Sequence, residues 1–308
     1  MSKRTLALAG ATMVSLIYGV TFTIAKDVMP QYIGAYGFIL LRVAGCVVLF
    51  WLAWLFAPKE KIELADFPRI IAAALFGVAL NMLTFFKGLS LTSPISASVI
   101  MVTTPILVLI LSAILLKERM QSKKIIGIIL GLAGTCLLIL YGRSSGNAQN
   151  AALGNFLVFV NAASYGLYLI LVKKLMDKYN AFTFVKWIYL FGLIMVLPFG
   201  WSELRSVNWA LVPEFIWWEI GFVIIFSTFL TYLLNLLSMK TLSPTIVAVF
   251  IYLQPVFATI FAITLGKDSL SAIKVISAIM IFGGVWLVTQ KKIVPQVSIP
   301  PTQPEGDI

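Results

Sequence analysis

Arg42 stands about eight residues into the apolar run 34–56, within ILLRVAG, and is the one charge in that run. A guanidinium inside hydrocarbon costs about 2.5 to 3.5 kcal/mol on insertion scales unless it is paired or hydrated. Its planar fork of donors matches a carboxylate or a phosphate, so the chemistry on offer is the anchoring of an anion. Pinning of loop carbonyls is the structural alternative. Neutral polar residues recur in other apolar runs: Tyr18; Asn81 and Thr84; Thr104; Asn161, Ser164 and Tyr165; Thr228, Thr231, Tyr232 and Asn235; Tyr252 and Gln254. Thr228, Thr231, Tyr232 and Asn235 are spaced three, four and seven apart, which collects them on one helical face. Such a stripe either wets a solute path or bonds to a neighbouring helix, the latter worth about 0.6 kcal/mol per bond.

The acids are placed differently. Of the twelve, only Glu219, in FIWWEIG, enters an apolar run, and shallowly, beside Trp217 and Trp218. With no carboxylate at mid-membrane, the sequence predicts facilitated diffusion or exchange rather than proton coupling through a buried acid. There is no histidine, and the two cysteines, Cys46 and Cys136, lie inside apolar runs. Zinc sites, Cys–His nucleophiles and His relays are excluded, and neither a metal nor a cofactor is expected. A membrane-embedded enzyme would need facing nucleophiles, acid pairs or ligands that this chain does not offer.

The elements that must carry these residues follow from composition. The chain has 308 residues, 60% hydrophobic and 11% charged, with mean hydropathy +1.00. Runs of membrane-crossing length recur at 5–26, 34–56, 69–88, 95–115, 125–141, 153–172, 183–200, 216–238, 245–265 and 273–290. The reading is an all-α polytopic membrane protein with ten transmembrane helices. The first run follows MSKR without a small-residue cleavage site, and reads as a retained helix. The tail 293–308, rich in proline, reads as disordered. Net charge is +11, but sixteen Lys and Arg, Lys186 among them, fall in one set of connections and six in the other. That bias places both termini in the cytoplasm and removes nucleic acid as a partner.

The chain also repeats itself. Ser93-Pro94, Pro105, Lys117-Glu118 and Gly134 recur as Ser243-Pro244, Pro255, Lys267-Asp268 and Gly284, and Tyr18-Gly19 as Tyr165-Gly166. Residues 1–142 and 153–292 thus form two five-helix repeats joined by the linker 143–152. Five is odd, so the second repeat is inverted relative to the first, a plan of secondary transporters with the solute site where the halves meet. Pro105 and Pro255 lie roughly 15 Å into their helices, near the bilayer centre. Each deprives a carbonyl, on Met101 and on Ile251, of its helical partner. Those carbonyls face either a hydrated cavity or a neighbouring hydroxyl such as Thr103 or Thr104; the pairing of the two prolines favours the cavity. Gly127, Gly131 and Gly134 let the fifth helix approach another closely, within one bundle or in a dimer.

YGVTFTIAK, GFILLR, SPISASVIMVTTP followed by LLKERMQSKKIIGIILGLAG, and SPTIVAVFIYLQP together resemble the drug/metabolite transporter superfamily, EamA type. The resemblance covers residues 5 to 290. It implies ten helices in two inverted repeats, a central cavity open to one side at a time, an Arg at the position of Arg42, and small polar metabolites as substrates, often exported. Departures are Tyr18 where the family often has Trp, Asp268-Ser269 where the first copy has Glu118-Arg119, and Ser277 in place of a second Gly127. The expectation is a multi-pass permease of the cell membrane, the inner membrane if bacterial, monomeric or weakly dimeric, exporting or exchanging small polar metabolites, amino-acid-like ones first. Nucleotide sugars, sugar phosphates and organic cations are the alternatives; a nucleotide sugar would want more than one cation, and a lipophilic cation a carboxylate. A structural membrane protein would not need the doubled half.

Overall fold

The computed structural model describes residues 2–29, 31–91, 100–118, 120–140, 151–264 and 271–290, and among them every regular element is helical. The first span is Lys3–Val28 and the second Ala35–Leu55. The third is continuous but built from three segments, an α-helix Phe67–Ala74, a π-helical stretch Leu75–Ala79 and an α-helix Leu80–Leu91. The fourth and fifth are Thr104–Leu115 and Ser122–Leu140. The second repeat follows with Ala151–Met176 and Ala181–Arg205. Its eighth span repeats the build of the third: Glu214–Phe222, a π-helical Val223–Leu230, then Thr231–Met239. The ninth is Pro244–Val249, a 3-10 turn Phe250–Tyr252 and Leu253–Thr264; the tenth is Ala272–Thr289. Pro94, Lys267, Asp268, the linker 143–150 and the tail lie outside the described residues.

Local chemistry sets several ends. Pro68 and Pro244 stand in first turns, where the missing amide has no helical partner to lose. Lys117, with φ 54°, closes the fourth span in the left-handed region usually left to glycine, and the Glu118 amide turns back to the Ser112 carbonyl at 3.1 Å. Glu203, near the end of the seventh span, accepts from the Gly37 amide at 2.9 Å and so satisfies the first turn of the second. The sixth and seventh helices run to Met176 and Arg205, past the expected 172 and 200. The seventh helix begins at Ala181, so Lys186, 4% exposed, lies within it, as the run 183–200 implies, and not in the connection to which the charge count assigned it.

Packing is symmetric under exchange of the halves. The second span lies along its counterpart the seventh, and the fifth along its counterpart the tenth; the third packs on the sixth as the eighth packs on the first. Close approach depends on glycine at two crossings. A methyl on Gly284 would lie 2.6 Å from the Gly127 carbonyl oxygen, and one on Gly200 2.5 Å from that of Tyr36. The small residues of the fifth span thus face the tenth span of the same chain.

The two inner prolines interrupt their helices in different ways. Helix Thr104–Leu115 restarts one residue before Pro105, and the Met101 carbonyl takes a hydrogen bond of 2.6 Å from the Thr104 hydroxyl. Threonine beside proline thus returns the missing donor locally. In the ninth span the 3-10 turn precedes Pro255, and the Phe250 carbonyl accepts from Ser15 of the first span at 2.7 Å.

Candidate functional site

The second span brings Arg42 to the eighth because Gly45 allows it: a methyl there would lie 2.8 Å from Ile224 Cγ2. The eighth span is π-helical at that point, and Thr228 donates to the carbonyl five residues back, Val223, at 2.7 Å. A π-turn leaves its carbonyls poorly served by the helix, and side chains make up the difference. Cys46 Sγ reaches the Ile224 carbonyl at 3.5 Å. In the matching stretch of the third span, the Gly77 carbonyl accepts from Tyr232 at 2.7 Å and that of Phe76 from Ser164 at 2.5 Å. Sequence periodicity gives no sign of these two π-stretches, since they depend on which partner meets which turn.

Three rungs join the polar stripe of the eighth span to its neighbours. Arg42 Nε donates to Thr228 Oγ1 at 3.2 Å; the Tyr18 and Thr231 hydroxyls lie 3.1 Å apart; Asn235 Nδ2 donates to the Tyr165 hydroxyl at 3.4 Å. Aromatic rings wall the stripe. The Arg42 guanidinium lies 5.9 Å from the Phe38 ring centre and 6.0 Å from that of Phe86, and Tyr168 and Tyr189 flank Tyr232 at 5.8 and 5.2 Å. Arg42 is 7% exposed, and among the described residues no carboxylate lies within ion-pair distance of it. The Tyr168 hydroxyl, Ser227 Oγ and Asn161 Oδ1 are buried without a partner among those residues.

The other candidates lie outside these three rungs. Asn81 and Asn161 clasp across the third and sixth spans, each amide on the other's carbonyl at 3.4 and 2.7 Å. Thr84 donates to its own helix at Leu80, 2.7 Å. Tyr252 packs on Gly131 of the fifth span, and Gln254 is half-buried in the ninth. Glu219 stays near the start of the eighth span, directly after the exposed Trp217 and Trp218.

At the two ends of the bundle, equivalent connections meet with unlike chemistry. At one, the connection before the third span meets the connection before the seventh. Lys178 Nζ lies 2.6 Å from Glu63 and 2.7 Å from Asp66, Tyr179 donates to Asp66 at 2.7 Å, and Glu60 accepts from the Asn180 amide and the Thr183 hydroxyl at 2.7 and 2.9 Å. Asp66 and Glu63 hold the Lys178 ammonium above the usual lysine range by hydrogen bonding. At the other end Val28 and Ile33 pack with Phe38, Val212, Ile216, Ile220 and Val223.

This arrangement, two like five-helix halves meeting along a buried polar stripe, is that of a polytopic membrane carrier. The EamA-like transporter family model matches residues 5–140 and 152–290, one match to each repeat, and the chain belongs to that family. Similar proteins include the uncharacterized transporter YyaM of Bacillus subtilis, 25% identical over 88% of this chain and 89% of that protein. An uncharacterized transporter of Archaeoglobus fulgidus is 28% identical over 89% and 95%. A WAT1-related protein of Arabidopsis thaliana is 24% identical over 77% and 68%. One crystal structure aligns with a TM-score of 0.76 at 18% identity over 94% of this chain and 97% of that chain, a likeness of fold.

Proposed function

We propose that this protein is a secondary transporter that exchanges small amino-acid-like metabolites across the cell membrane by alternating access of its two inverted halves, with both termini cytoplasmic. The observation that carries this reading is Arg42: buried, without a carboxylate partner among the described residues, held by Thr228 and by the faces of Phe38 and Phe86. A guanidinium so placed favours an anion that arrives and leaves, and a substrate carboxylate meets its geometry. Tyr18, Thr231, Tyr165 and Asn235 supply neutral donors and acceptors along the same stripe, suited to the rest of a zwitterion. With one cation there, a nucleotide sugar or sugar phosphate is served less well.

Counterflow in proteoliposomes tests the reading. Protein preloaded in turn with amino acids, nucleotide sugars and organic cations is expected to accelerate exchange of the amino acids alone. Arg42→Ala is expected to lower that exchange at least about tenfold, the loss of a charged hydrogen bond of about 1.5 to 3 kcal/mol, with folding intact. Exchange of another class, or full exchange in the variant, overturns the assignment.

A further inference from the structure

Outside the central stripe, a pair of cations converges where the second span ends and the seventh begins. Lys186 is 4% exposed, and its ammonium faces only indoles among the described residues: Trp54 at 2.9 Å, Trp51 at 4.5 Å and Trp187 at 5.6 Å from the ring centres. Lys59 brings a second ammonium to the same Trp54 ring, 3.8 Å from its centre, while donating to the Trp54 and Leu55 carbonyls at 3.2 and 3.3 Å. Two ammoniums on one indole repel each other. No carboxylate pairs with either among the described residues, and the adjacent Glu60 is turned to Asn180 and Thr183. Trp54 Nε1 is buried there without a partner, a third donor unspent.

The surroundings point to lipid. Phe56, two residues past Trp54, is 91% exposed, and Leu52 and Leu55 are more than half exposed. Trp51, Trp54 and Trp187 are the residue type that marks the headgroup level of a bilayer. Basic pockets between spans at that depth hold anionic headgroups, because the phosphate replaces the missing counter-charge while the acyl chains cover the apolar rim. We infer that Lys59, Lys186 and Trp54 form a binding site for the phosphate of an anionic phospholipid, between the second and seventh spans and separate from the Arg42 site.

The test uses purified full-length protein in detergent, titrated with phosphatidylglycerol, phosphatidylcholine or inorganic phosphate, with melting temperature and native mass spectrometry as readouts. Phosphatidylglycerol is expected to stabilise the wild type and remain bound, whereas the other two do neither. Affinity falls about fivefold for each of Lys59→Gln and Lys186→Met, following roughly 1 kcal/mol per interfacial lysine. Lys61→Gln, an equal loss of charge on a nearby exposed residue, leaves it unchanged. Because Lys186 is buried, Lys59→Gln alone carries the test if Lys186→Met does not fold. Equal loss in Lys61→Gln means unspecific surface charge, and equal stabilisation by inorganic phosphate means a soluble anion; either overturns the inference.

Discussion

The connections before the third and seventh spans, and those before the eighth and second, occupy equivalent places in the two repeats, yet one pair is joined by charge and the other by apolar packing. At the charged end each carboxylate has an identified donor: Lys178 for Glu63 and Asp66, Tyr179 for Asp66, Asn180 and Thr183 for Glu60. Water can take over every one of those bonds, so separating that end exchanges partners and leaves nothing unsatisfied. At the apolar end, Ile33, Phe38, Ile216 and Val223 are fully buried, and separation would expose their surface at about 25 cal/mol per Å². The same topology thus carries a closure that responds to salt and charge and one that responds to shape and burial. Under the alternating access proposed above, this implies unequal preferences for the two open arrangements, with the charged end the easier to part.

The largest effect is expected where the apolar closure is given a charge. Ile216→Asp places a carboxylate at a fully buried position with no partner, at a cost of several kcal/mol. In a background of Cys46→Ser and Cys136→Ser, where serine can still donate to the Ile224 carbonyl, labelling of Ile33→Cys by a water-soluble maleimide should rise at least tenfold. Unchanged labelling would mean that apolar contact does not hold this end. Next in size is reversal at the charged closure. Lys178→Glu sets a third acid beside Glu63 and Asp66, and labelling of Ala181→Cys, fully buried in the wild type, should rise severalfold while that of Ile33→Cys stays put.

Much of the frame is legible in the sequence, because hydropathy marks spans and the recurrence of Tyr-Gly, Ser-Pro and inner prolines marks the repeat. The stripe Thr228, Thr231, Asn235 is legible too, since helical spacing places it on one face whatever that face meets. Its partners are not. Arg42, Tyr18 and Tyr165 come from three other helices, and only the crossing positions decide which rung each one joins. Main-chain carbonyls near the inner prolines divide in the same way: Thr104 serves Met101 from three residues away, whereas Ser15 serves Phe250 from 235 residues away. Lys186 is misplaced by any count of loop charges, because the indoles that shelter it are supplied largely by another span.

A smaller effect separates the closures without mutation. Raising ionic strength from about 0.1 M to 1 M shortens the screening length from about 10 Å to 3 Å, which weakens the exposed Lys178–Glu63 pair. Labelling of Ala181→Cys should rise about two- to threefold across that range. Labelling of Ile33→Cys should fall slightly or stay level, since salt does not weaken apolar burial. Parallel increases at both positions would make the two closures one cooperative unit.

The smallest effect expected is that of pH, and its sign is fixed by Lys178. Its pKa is raised in the folded protein, so its contribution is fully present below the ordinary lysine value of about 10.4 and is lost only as pH rises through the higher folded value. The charged closure should therefore be flat with respect to Lys178 between about pH 6 and 9. The measurement is the difference in melting temperature between the wild type and Lys178→Gln, followed upward in pH. It should stay constant across the neutral range and shrink above about pH 10.5, where the lysine of the unfolded chain loses its proton while the folded one still holds it. A difference that already shrinks near pH 8 would show that Lys178 is not held by Asp66 and Glu63 in solution, and the contrast between a charged and an apolar closure would then rest on Glu60 and Tyr179 alone.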